Sequence, residues 1–147
     1  MKDQRGYYRN KLGVSGWIRG GRYGLERAAY TLHRITGLGL LFYFIVHILV
    51  TGSRLGGPEA WEAAMVRFET PLFRFGEFLV FVAFAFHALN GLRLAITELG
   101  YMLGKPQRPI FPYVNSVRRQ RPFFIVLMIA AAVLIVLGGA DFYIIGH

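Results

Sequence analysis

His47 and His87 lie deep inside long apolar runs. An ionisable side chain in such a setting is costly and marks a functional site by default. Neutral imidazole offers a nitrogen lone pair and is the common axial ligand of haem iron. The 147-residue chain contains no cysteine, so thiolate zinc sites, iron–sulfur ligation and thiol catalysis are excluded. Histidine ligation of a b-type haem is the leading reading; the ordinary alternative is a neutral histidine hydrogen-bonded to a neighbouring helix. One turn to either side of His87 stand Ala83 and Gly91, on the same helix face. Small residues there leave room for a flat macrocycle, or for close approach of another helix. Arg93 follows at the membrane boundary, where its charge suits a haem propionate or a lipid headgroup.

A second group of polar residues opens the first apolar run: Tyr30, Thr31, His33, Arg34 and Thr36. Hydroxyls, an imidazole and a guanidinium together suit a quinone carbonyl or haem propionates. They equally suit an interfacial girdle of the kind common at span ends.

The elements that must position these residues are three runs of 18 residues: Ile35–Gly52, Phe75–Leu92 and Phe123–Ala140. The first and third carry no Lys, Arg, Asp or Glu, and the second carries only Glu77. A bilayer core needs about 20 helical residues, and its backbone groups must be satisfied internally. The chain is therefore an all-α membrane protein with three transmembrane helices, at about 31–53, 73–98 and 122–145. Composition agrees: 54% of residues are hydrophobic, 17% are charged and the mean hydropathy is +0.41. A soluble domain carries about a quarter charged residues, so an ordinary cytosolic domain is excluded. The first run lies behind 34 residues rich in Arg and Gly, with no cleavage-type pattern after it, and reads as a retained span.

Eight of the 17 Lys and Arg residues precede the first span, three lie between spans one and two, six between spans two and three, and none after. By the positive-inside rule the N-terminus is inside and the C-terminus outside. The net charge of +9 thus reads as topology and attraction to anionic membrane lipid, with no nucleic acid as partner. Residues 1–29 form an inner-surface or partner-docking segment, and residues 30–147 form the transmembrane unit. Residues 58–69 begin with Pro and carry early Glu, which predicts a short outer interfacial helix anchored by Trp61. Residues 104–122 hold four prolines and are expected to be irregular.

At 1.5 Å per residue, His47 lies roughly 20 Å beyond Arg34 and His87 roughly 9 Å before Arg93. Ligands of one iron face each other at equal depth, so an offset on the order of 10 Å separates these two. Each needs an opposite ligand from another chain, and three helices are few to enclose a macrocycle. Both points predict a second membrane subunit.

The string LHRITG at 32–37 resembles the His-Arg-x-Ser/Thr-Gly signature of the cytochrome b subunit of succinate dehydrogenase, respiratory complex II of the tricarboxylic acid cycle. FHALNGLR at 86–93, followed by ELGY at 98–101, resembles that family's second signature. The resemblance covers about residues 25–140. It implies a prokaryotic plasma-membrane subunit that anchors the flavoprotein and iron–sulfur subunits, together with a second small anchor subunit. It makes His87 the haem b ligand, puts His33 near the propionates and Arg34 at the quinone site, where the iron–sulfur subunit delivers electrons. Tyr30, with Thr31 beside it, stands where well-known members carry a quinone-contacting serine. Leu94 stands where some members carry a further histidine. His47 looks like the extra first-helix ligand of two-haem members, so one haem is expected and His47 offers a second. A haem-free scaffold and the anchor of a fumarate reductase are the alternatives.

Overall fold

The computed structural model describes residues 13–14, 24–105, 108, 110 and 116–145. Most of the 1–29 segment and part of the Pro-rich loop 104–122 lie outside the described residues. Helix α1 spans Leu25–Thr51 and runs through a 3₁₀ turn, Gly52–Gly56, to the short helix α2, Pro58–Met65. Helix α3 spans Pro71–Glu98; a 3₁₀ turn at Ser116–Gln120 leads into α4, Arg121–Ala140, which ends in a π-turn at Asp141–Ile145. The described residues contain no strand. Helices α1, α3 and α4 are each long and apolar enough to cross a membrane.

The helix ends follow local chemistry. Thr70 caps α3, accepting a hydrogen bond from the Phe73 amide at 3.4 Å, and Pro71 occupies its first turn, where a missing N–H costs nothing. At the other end, the Tyr101 amide reaches back to the Ile96 carbonyl and the Gly100 amide to Thr97, with Gly100 at φ 86°. This is a Schellman stop, and it explains the glycine of the ELGY string. Pro58 opens α2 as expected, and the helix ends at Met65, short of the anticipated residue 69. Trp61 is clasped by the Arg54 guanidinium, 4.1 Å from its ring centre, which fastens α2 to the turn before it.

Helix α1 starts at Leu25, six residues before the expected start of the span at about 31. Glu26 in its first turn receives two hydrogen bonds from Arg121, through Nε and Nη2. That bidentate pair joins the N-terminal ends of α1 and α4, so the two helices run parallel and α3 runs against both. Helix α3 packs on α1 along one side and on α4 along the other.

The interior of this bundle is small and partly polar. Buried positions include Ala29 and Thr31 on α1, Ala85, Asn90 and Arg93 on α3, and Phe124, Leu127 and Ala131 on α4. Large apolar side chains such as Phe42, Leu49 and Val136 are turned outward. This arrangement suits lipid, where no hydrophobic gradient drives helices together and small residues let backbones approach. Gly138 shows the closeness: a Cβ there would overlap the Phe81 ring.

Candidate functional site

The HRITG segment of α1 and the histidine of α3 meet face to face. The His33 and His87 rings stack with centroids 3.8 Å apart and planes 10° from parallel. His33, Thr36 and Gly37 share one face of α1 by helical spacing. The His87 Nδ1 atom lies 3.0 Å from the His33 carbonyl oxygen and 3.2 Å from Thr36 Oγ1. A carbonyl only accepts, so Nδ1 carries the proton and donates. In a neutral imidazole this leaves the lone pair on Nε2. No hydrogen bond is made by Nε2 among the described residues. His87 also lines a groove of about 720 Å³ between α1 and α3, walled by Leu40, Phe44, Val80, Phe81 and Phe84. An imidazole with its Nδ1 tied to a carbonyl and its Nε2 available is the usual form of a metal-ligating histidine.

Two glycines make this contact feasible. A Cβ on Gly37 would come within 2.7 Å of His87 Cε1, and one on Gly91 within 3.3 Å of His33 Cε1. The space at Gly91, expected to admit a macrocycle or a helix, faces the His33 ring. Gly37→Ala is expected to push the His87 ring off its acceptors and destabilise the protein by about 1–3 kcal/mol. Gly91→Ala is expected to cost less, and thermal unfolding of the two variants side by side provides the measurement.

Arg93 is almost fully enclosed, at 1% exposure. Its Nε donates to Asn90 Oδ1 at 3.0 Å, its Nη1 donates to Gln120 Oε1 at 3.0 Å, and its guanidinium lies 5.2 Å from the Phe124 ring centre. Both hydrogen-bond partners are neutral, and no carboxylate forms an ion pair with it among the described residues. Gln120→Ala is expected to lower stability by about 2 kcal/mol, because a buried charge loses one of its acceptors; a fall in Tm in detergent checks it.

The cluster at the start of α1 divides. Tyr30 and Arg34 are exposed, with the guanidinium 5.7 Å from the tyrosine ring centre. Thr31 is buried and His33 is half-buried, its Nδ1 closed off without a partner. His47 is elsewhere. It lies 14 residues beyond His33 on α1, hence about 21 Å farther along the axis. With His33 stacked on His87, His47 and His87 are separated by twice the offset expected from counting to charged residues. Arg34 does not mark the start of the helix, so it was a poor ruler. His47 is exposed and packs near the Tyr43 ring, 5.6 Å away, in a pocket of about 420 Å³ that also includes Trp61 and Glu77.

The stacking of His33 on His87, the Thr36 contact and the Asn90–Arg93–Gln120 set are not readable from the sequence. Helical spacing does put residues 33, 36 and 37 on one face and residues 83, 87, 90 and 91 on another. What it lacks is the information that these two faces meet.

The fold and site define an integral membrane subunit of three spans, with a histidine held through its Nδ1 between two of them. The chain belongs to the succinate dehydrogenase/fumarate reductase transmembrane subunit family, whose pattern matches residues 9–137. It is 27% identical over 134 residues to the succinate dehydrogenase 2 membrane subunit SdhC of Mycobacterium tuberculosis, covering 91% of this chain and 85% of that protein. It is 32% identical over 73 residues to the succinate dehydrogenase hydrophobic membrane anchor subunit of Halobacterium salinarum, covering 49% of this chain and 56% of that protein. No solved structure matches the chain.

Proposed function

We propose that this chain is the cytochrome b membrane anchor of a succinate:quinone oxidoreductase in a prokaryotic plasma membrane, with its N-terminus inside and its C-terminus outside. It assembles with a second small anchor subunit, an iron–sulfur subunit and a flavoprotein subunit. The single observation that carries the haem is the His87 ring, with Nδ1 donating to the His33 carbonyl at 3.0 Å and Nε2 left as the lone-pair donor. The donor set fits a b-type haem: an available imidazole nitrogen beside a largely apolar groove. When bound, the haem supplies a one-electron store beside the path to quinone.

This chain's own residues do the rest. His87 would hold the haem through Nε2, together with a ligand from the second anchor subunit. His33, half-buried beside His87, would lie near the propionates, whereas Arg93 is held inside the bundle by Asn90 and Gln120. Arg34 hydrogen-bonds the quinone oxygen and stabilises the charge that develops on it, with Tyr30 and Thr31 beside it. The direction, succinate oxidation or fumarate reduction, is set by the quinone and the soluble subunits. A reduced-minus-oxidised spectrum of the purified complex tests the reading. A b-type band stoichiometric with this chain is expected; full quinone-linked activity without such a band would leave a haem-free scaffold. His47, exposed in its own pocket about 21 Å along α1 from His33, would be the ligand in a complex that holds a second haem. A potentiometric titration showing a single haem removes that second site.

A further inference from the structure

We propose that Thr36 is a positioning residue for His87, and that its hydroxyl sets the electron-donating strength of the His87 Nε2 nitrogen. The inference rests on the reading of His87 as a haem ligand and goes beyond it to a residue that touches no cofactor. Two oxygens face His87 Nδ1, and both come from one turn of α1: the His33 carbonyl at 3.0 Å and Thr36 Oγ1 at 3.2 Å. The Thr36 hydroxyl itself lies 2.9 Å from the Leu32 carbonyl and 3.0 Å from the His33 carbonyl.

A hydroxyl has one proton to give and two lone pairs to accept with. If the proton goes to Leu32, the His87 N–H is shared between the His33 carbonyl and Thr36 Oγ1. If it goes to His33, that carbonyl divides its lone pairs between the hydroxyl and the imidazole, and Thr36 Oγ1 accepts from the imidazole beside it. Either way, the lone pairs of Thr36 face the His87 N–H. An acceptor on this N–H pushes electron density toward Nε2 and makes it a more basic ligand. A more basic axial ligand favours ferric iron, and hydrogen bonding behind the ligand is one of the levers on haem potential. The absent side chain at Gly37, one residue on, lets the ring come close enough for this bond.

The experiment is a redox titration of the b-type band in the purified complex of wild type, Thr36→Val and Thr36→Ser. Valine keeps the shape of threonine and removes the lone pairs. The expected result is a midpoint potential shifted upward in Thr36→Val and returned toward wild type in Thr36→Ser. Should the valine variant fail to assemble, Thr36→Ala, which adds no bulk, is titrated in its place with the same expectation. A variant lacking the hydroxyl, with full haem content and a potential equal to or below wild type, overturns the proposal while leaving His87 as ligand intact. A wild-type complex without any b-type band overturns the underlying reading and this inference with it.

Discussion

His87→Ala is expected to abolish the low-spin b-type band of the complex. The reason is geometric. Nδ1 of His87 is committed to the His33 carbonyl and Thr36 Oγ1, so the lone pair that a metal needs is on Nε2 alone. His33 cannot take over in place, because its ring lies flat beside the His87 position and does not occupy it. His47 is about 21 Å along α1 from His33 and cannot reach. Haem content measured by extraction should fall with the band, whereas succinate oxidation by the soluble subunits, followed with a soluble electron acceptor, should persist. A wild-type band in His87→Ala would remove this residue from the ligand set.

Arg34→Ala is expected to slow quinone reduction by about 100-fold, the size of effect seen when a donor to developing negative charge is removed. Arg34 sits on the outward face of α1, one turn after Tyr30, with its guanidinium 5.7 Å from the tyrosine ring centre. On the proposed reading, that face would meet a partner subunit, and the quinone site would be shared across the interface. Arg34→Lys should recover only part of the rate, since an ammonium lacks the planar fork of donors. Assays with quinone and with a soluble acceptor, run on one preparation, separate this effect from loss of assembly. Equal rates in Arg34→Ala and wild type would move the quinone site elsewhere.

Both predictions depend on residues already singled out by type and spacing, yet their geometry differs from what spacing suggested. The three spans were legible because long runs without charge have few alternatives in water or in lipid. The start of α2 at Pro58 was equally local. The depth of His47 relative to His87 was misjudged, since Arg34 lies more than two turns inside α1, which begins at Leu25. A cation marks a membrane boundary only when its side chain ends there, and long side chains reach across several ångströms.

The amino-acid order by itself determined that this chain is helical, crosses the membrane three times and carries imidazole at two depths, because hydropathy and helical repeat are local properties. Only the tertiary structure decided that His87 stacks on His33, that Thr36 and the His33 carbonyl hold its Nδ1, and that Arg93 turns inward to Asn90 and Gln120. In lipid every face of an apolar helix is equally at home. Which faces meet is therefore settled by close fit, here at Gly37, Gly91 and Gly138, and such fit exists only once the helices are side by side.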